Sequence, residues 1–120
     1  MTIRGEIDLK EILNDYSDEI KQGIKKSQQA VADDTVNELK ASSPKRAAGG
    51  GAYAGDWTST YQRGVMIVHN AKHYQLTHLL EFGHATRDGG RTRAYPHIKP
   101  ASNDAAKEFE DKIKDVINHA

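Results

Sequence analysis

An α+β fold with a long N-terminal helix, a small antiparallel β-sheet and a C-terminal helix is predicted by three observations. Apolar residues recur at helical spacing from Leu9 to Leu39, and again from Ala105 to Ile117. Between these stretches lie two short runs, Trp57 to Gln62 and Val65 to Asn70, separated by Arg63-Gly64. That separation is the mark of a two-residue hairpin. No internal repeat appears, and 120 residues suit one domain.

The first element is read as one helix over residues 8–42. Asp8 with Glu11 three residues on has the form of a capping box, and Leu9, Ile12, Leu13, Tyr16, Ile20, Ile24, Val31 and Leu39 form its apolar stripe. Ser27, Gln28 and Thr35 fill weaker positions of that stripe, and Gly23 is the point where an interruption is expected. Continuous to Ala41, such a helix would be roughly 50 Å long, more than a small globule can cover. Part of the stripe is therefore expected to meet another chain. Ser42-Ser43-Pro44 ends the helix, because proline disfavours the helical conformation in the residue before it.

Residues 43–56 contain four glycines and are read as a flexible, glycine-rich loop, or as an arm that orders on a partner. Residues 57–100 form the β-rich core. Val65 to Asn70 is apolar on both faces near its middle and is read as a central strand. Tyr74 to Phe82 fits a short helix with Leu76, Leu79 and Leu80 at spacings of three and four, and Gly83 suits a left-handed C-terminal cap. The last helix is placed at 101–119, after Pro100, with Ser102 as its cap and Ala105, Phe109, Ile113, Val116 and Ile117 as its apolar face.

Composition narrows the function classes. The chain has no cysteine, so it owes nothing to disulfides or thiolate metal sites, which fits folding inside a cell. No apolar run approaches the roughly 18 to 20 residues that span a bilayer, and the N-terminus lacks the apolar region of a signal peptide. Leu, Ile, Val and Phe together number 22, a lean core for which subunit association would supply missing burial. Net charge is zero but unevenly placed: residues 1–42 carry six Lys/Arg against nine Asp/Glu, residues 43–100 eight against three, and residues 101–120 three against five. Neutrality argues against bulk nucleic-acid affinity, while the basic middle leaves room for a local anionic partner.

Catalytic and metal motifs are hard to find. His69 with His73, and His78 with Glu81 and His84, are the nearest to a metal set; the first pair straddles a strand end, and a six-residue interval puts His78 and His84 on nearly opposite sides of a helix. Serines 42, 43, 59 and 102 lack a nucleophile turn, and Gly49 to Gly51 are not followed by the Lys-Ser/Thr of a phosphate loop. Glu81 stands out as a charge between Leu80 and Phe82. A carboxylate among apolar residues needs a cation or backbone donors, and a brace from Arg63, Arg91 or Arg93 is the expected partner.

The basic loop 84–94 is bracketed by Tyr74 to Gly83 and by Tyr95 to Ala101. With Arg87, Arg91, Arg93 and the pair Gly89-Gly90, it reads as anchored at both ends and free in the middle. A solvated loop, a protein interface and a contact to DNA backbone are its three readings.

Taken together, Ala54-Gly55-Asp56-Trp57, the strand after it, Leu80-Glu81-Phe82-Gly83-His84 and Pro96-His97-Ile98-Lys99-Pro100-Ala101 resemble the head-tail joining, or tail-completion, proteins of tailed bacteriophages and prophages. The resemblance covers roughly residues 20–118, with His84 where that family usually has Thr or Ser. It implies a non-enzymatic virion component without cofactor or metal, assembled in the bacterial host cytoplasm and placed at the virion neck or tail. Its expected partners are other neck, connector or tail-tube proteins, or further copies of itself. On this reading Arg87, Arg91, Arg93, Tyr95 and Trp57 are interface residues, and Glu81, Phe82, Gly83, Pro96 and Pro100 brace the loop, with Tyr74, Leu79 and Leu80 fixing its ends. The rival readings are a small His/Glu metal-dependent hydrolase and a DNA-contacting connector adaptor.

Overall fold

The computed structural model describes residues 17–45 and 51–119. Its elements, in order, are α1 (Asp18–Ser42), α2 (Ala52–Gly55), β1 (Trp57–Gln62), β2 (Val65–Asn70), α3 (Gln75–Phe82) and α4 (Ile98–Asn118). The fold is α+β: a long N-terminal helix, a two-stranded antiparallel sheet and a C-terminal helix.

Helix α1 begins later than its apolar stripe suggests. Ser17 is extended, and its side chain accepts the Ile20 N–H at 3.3 Å, so it is the N-cap, with Asp18 and Glu19 placed favourably in the first turn. A helix running unbroken from Asp8 is thus excluded at Ser17; the proposed Asp8–Glu11 box lies outside the described residues. With 25 residues α1 is roughly 37 Å long, not 50.

The buried stripe of α1 is Ile24, Ser27, Gln28, Val31, Ala32, Thr35 and Leu39. Its small polar members are satisfied in place: Ser27 and Thr35 donate to carbonyls one turn back, and Gln28 Nε2 donates to Gly64 O in the hairpin turn. Gly23 does not interrupt the helix. A Cβ there would stand 2.7 Å from Val116 Cγ1, so glycine permits α1 and α4 to approach closely. The pairings Gly23 with Val116, Asp34 with Glu108 and Glu38 with Asp104 run in opposite chain directions, and the two helices are antiparallel.

The hairpin has the expected register, Trp57 opposite Asn70 through Gln62 opposite Val65. Arg63 and Gly64 both have positive φ, as a two-residue turn with the twist of the strands requires. Strand β2 is not central among the described residues, where the sheet has two strands. Its apolar character has another cause: Met66 and Val68 enter the main core with Ala32, Leu39, Tyr53, Trp57 and Ala101, while Val65 is also buried.

Residues 43–56 are only partly a loop. Residues 46–50 lie outside the described residues, but Ala52–Gly55 is a helical turn that buries Tyr53 and Ala54. Ser43 is buried as well; it donates to Leu39 O and accepts Trp57 Nε1 at 2.8 Å, tying the end of α1 to the first strand. Helix α4 starts at Ile98 rather than after Pro100, and Ser102 is not its cap. Among the described residues no helix is long and apolar enough to cross a membrane.

Candidate functional site

Helix α3 is held at its start by the end of β2. Asn70, buried opposite Trp57, donates through Nδ2 to Tyr53 O and accepts the His73 N–H, each at 2.8 Å, while Asp56 Oδ2 pairs with His73 Nδ1. From that anchor α3 turns one residue fully inward, Glu81, with Leu80 packed partly against the core.

Glu81 is not braced by arginine. Its Oε1 accepts the N–H groups of His97 and Ile98, both at 2.8 Å, and Oε2 accepts that of Lys99 at 3.1 Å. These are first-turn donors of α4, which have no partner within their own helix. The next residue, Pro100, has no N–H to satisfy, and the Ala101 N–H makes the first helical bond, to His97 O. Every donor of the turn is therefore accounted for by one carboxylate and one proline. Arg63 occupies the exposed hairpin turn instead, and Arg91 and Arg93 serve elsewhere.

The same carboxylate lies 3.1 Å from His97 Nδ1. His97 is buried; Nδ1 donates to Tyr95 O at 2.7 Å, and Nε2 is paired with the Tyr53 hydroxyl at 2.7 Å. Tyr53 and Trp57 meet the His97 ring edge-on. Burial raises the Glu81 pKa, but the three backbone donors and His97 together outweigh it, so the group is held below the usual carboxylate range. Burial, with a smaller contribution from the Glu81 charge, pushes the Tyr53 phenol up to about 12. The cluster is built to keep Glu81 ionised and Tyr53 protonated, which is a structural arrangement.

Outside this junction the chain closes on itself. Gly83 has φ +73° with an extended ψ of 172°, outside the left-handed helical region, and a Cβ there would stand 2.5 Å from Thr92 O. Only glycine meets both conditions. Residues 84–92 form a small hairpin: Ala85 bridges Arg91, Thr92 N–H donates to His84 O at 2.8 Å, and Thr86 N–H donates to Gly90 O at 2.9 Å. The loop expected to be free in its middle is thus hydrogen-bonded through it. Asp88 is drawn into the turn by the Thr86 hydroxyl and the Gly90 N–H.

The predicted interface residues divide. Arg87, Arg91, Arg93 and Tyr95 are exposed around this hairpin. Arg91 donates to the carbonyls of Phe82 and Gly83 at 3.2 and 3.3 Å, capping the end of α3, and Arg93 lies 5.3 Å from the centre of the Tyr95 ring. Trp57 is a correction: at 3% exposure it is core, and no partner reaches it without unfolding the junction.

The predicted braces divide as well. Glu81 holds the junction and Gly83 permits the close approach of Thr92 O, but the Phe82 side chain is 61% exposed and in contact with the His78 ring, so it is surface and not brace. Tyr74 and Leu79 are exposed too, and only Leu80 is partly buried. Pro96 and Pro100 are exposed and act through the backbone, flanking the start of α4. The anchoring falls mainly to backbone groups, including Tyr95 N–H to Leu80 O at 2.8 Å.

Two histidines make separate local contacts, His69 with Thr60 and His84 with Thr92. Among the described residues no group of three or more His, Asp or Glu is placed to hold a metal ion. A groove of about 470 Å³ between α1 and the hairpin is lined by Gln22, Lys25, Lys26, Gln29, Tyr61 and Met66. No protein-family model, curated protein or solved structure matches the chain.

Proposed function

We propose that this chain is a non-enzymatic structural subunit of a tailed bacteriophage or prophage that works in head-tail joining or tail completion at the virion neck. Its partners on this reading are neck, connector or tail-tube proteins, or further copies of itself. The observation that carries the reading is the use made of the two sequence blocks that resemble that family. Glu81 of the first block accepts the N–H groups of His97, Ile98 and Lys99 of the second, and the segment between them carries a closed hairpin and exposes Arg87, Arg93 and Tyr95. Aromatic and arginine side chains on a rigid base are the groups that most often anchor protein interfaces.

The test is particle assembly in a lysogen. Arg87→Ala with Arg93→Ala leaves the Arg91 cap in place and is expected to reduce the yield of joined particles without changing the melting temperature. Normal joining by the folded double variant would remove the loop from the assembly role. Genes for portal, capsid and tail-tube proteins beside this one are expected, and their absence would count against the neck. Steeply salt-dependent binding of duplex DNA by the purified chain would instead favour the connector adaptor that touches DNA.

A further inference from the structure

The β1–β2 hairpin leaves one edge of its sheet open. Ala71 N–H donates to Asp56 O at 2.9 Å just beyond the pair of Trp57 and Asn70, which sets the phase of the ladder. Hydrogen-bonded and non-bonded positions alternate along an antiparallel pair. Thr58, Thr60 and Gln62 therefore exchange bonds with β2 up to the two-residue turn, while the N–H and C=O groups of Ser59 and Tyr61 point away from it. Among the described residues no hydrogen bond reaches those four groups. Thr60, Tyr61 and Gln62 are exposed and Ser59 is half-buried, whereas the matching outward positions of β2, Met66, Val68 and Asn70, are buried. Natural edges are guarded by lysine, proline, a bulge or a covering element. Strand β1 is uncharged, has no proline and pairs in unbroken register at every position, so none of the first three guards is present.

Cations stand beside this edge. Lys25 Nζ lies 5.1 Å from the centre of the Tyr61 ring, and Lys25 and Lys26 line the groove to which Tyr61 and Met66 also belong. Arg63 occupies the turn that ends the strand. Among the described residues none of these three forms an ion pair. Neither strand contains Asp or Glu. The acids of α1 nearest to Lys25 and Lys26 in sequence are Asp18, Glu19 and Asp33, each about two helical turns, or about 10 Å, along the axis. Asp33 is also engaged, accepting Gln29 Nε2 at 2.9 Å.

We infer that the open edge of β1 receives an extended, acidic segment of another protein by antiparallel strand addition, its backbone pairing with Ser59 and Tyr61 and its carboxylates facing Lys25 and Lys26. Strand addition is a common way to read an unpaired edge, with main-chain bonds giving affinity and alternate side chains giving specificity. Residues directly opposite each other on paired strands share a face. Tyr61 and its partner Met66 both line the groove with the two lysines, so an added residue bonded to Tyr61 directs its side chain to the same place. Charge decides against a second copy, whose own β1 edge would bring the same lysines and arginine against these. The surface is separate from the hairpin that carries Arg87, and the inference does not depend on the neck reading.

The test uses the full chain and the peptide acetyl-Thr-Val-Glu-Thr-Glu-Val-Thr-amide, followed by amide NMR with hydrogen exchange. In the dilute free chain the amides of Ser59 and Tyr61 are expected to exchange fast while those of Thr60 and Gln62 are protected, and the peptide then protects Ser59 and Tyr61 as well. Lysine in place of both peptide glutamates, or Lys25→Glu with Lys26→Glu in the protein, is expected to weaken binding at least about tenfold. Methylating the two glutamate amide nitrogens, which face β1, is expected to weaken it at least about tenfold because two hydrogen bonds are lost. Methylating the central threonine amide, which faces away, leaves binding in place. The methylated peptides leave the protein untouched, and circular dichroism melting checks that the double variant is folded. Ser59 and Tyr61 amides already protected in the dilute free chain, no binding of the acidic peptide, or equal loss from the two methylation patterns overturns the inference. Protection of these amides that rises with protein concentration and ignores the peptide overturns it in favour of a second copy.

Discussion

Helix α4 meets carboxylates at two places, and the two are handled in opposite ways. At its N-terminus Glu81 is only 5% exposed yet held ionised, because three backbone donors and His97 converge on it. Along its flank Glu38 and Glu108 are half-buried yet pushed up to about 7, because Glu38 faces Asp104 and Glu108 faces Asp34, with burial adding to it. Donors aimed at a carboxylate, more than its exposure, decide its charge. The first carboxylate is met by donors, whereas among the described residues the second pair has one ion-pair partner, Lys112, at 4.0 Å from Glu108.

The largest test of this contrast removes the cap. Glu81→Ala exposes three first-turn donors and the His97 ring to an unfilled site and is expected to destabilise the protein by about 3 kcal/mol in urea unfolding. Glu81→Gln keeps an acceptor but loses the charge and should cost about 1–2 kcal/mol. A loss below about 0.5 kcal/mol for the alanine variant would show that water replaces the carboxylate without penalty.

A smaller effect is expected from the back of the junction. Tyr53→Phe leaves His97 Nε2 buried without its hydroxyl partner and should cost about 1–2 kcal/mol, with the fold retained. The imidazole signals of His97 by NMR report whether the ring keeps its bond to Tyr95 O. A phenylalanine variant as stable as wild type would mean that the ring finds another partner.

The pH profile separates the two sites by sign. Glu81 has a lowered pKa in the folded protein, so its contribution is present above its ordinary value of 4.5 and is lost as pH falls. Glu38 and Glu108 have raised values, so their contribution is full below 4.5 and is lost as pH rises through about 7. Melting temperature is therefore expected to peak between about pH 4 and about pH 5 and to fall as pH rises towards 7. Glu81→Gln should flatten the acid side alone. The smallest effect is that of Glu38→Gln with Glu108→Gln, which flattens the alkaline side and adds about 0.5–1 kcal/mol at about pH 8, the half-exposed positions limiting the gain. A profile flat from pH 5 to 8 in the wild type would contradict the raised values of Glu38 and Glu108.

Much of the frame was legible in the sequence, because periodicity and turn chemistry are local. The hairpin appears where its alternating runs and Arg63-Gly64 put it, and the polar members of the α1 stripe, Ser27, Gln28 and Thr35, are buried as that stripe implies. The boundaries of α1 and α4 were less legible. The helix of the described residues starts at the Ser17 cap, the Asp8 box lying outside them, and Pro100 looked like a boundary when it is a first-turn residue. The start of α4 depends on a residue sixteen positions before its first capped donor, and no local rule contains that distance.

The candidate site was legible in its residues but not in their roles. Glu81 was correctly singled out as a charge needing a partner, yet the nearest plausible cations drew attention away from backbone donors. Tyr53 was hidden by its glycine-rich surroundings, although an aromatic residue in such a run is itself a sign of anchoring. His97 lay inside a recognised block without an assigned task. Phe82 misled in the other direction, because its apolar character suggested burial and the helix turns it outward.

The Glu81 cap has a consequence for how this chain can diversify. Because one side chain of α3 fastens the first turn of α4 directly, the geometry of the two helices does not depend on the length of residues 87–90 at the hairpin tip. The tip is then a cassette on a fixed clasp, open to insertion or exchange while the body beneath keeps its shape. A short peptide grafted between Asp88 and Gly89 should leave the melting temperature within a few degrees of the parent chain, which makes this position a natural one for changing what the subunit grips.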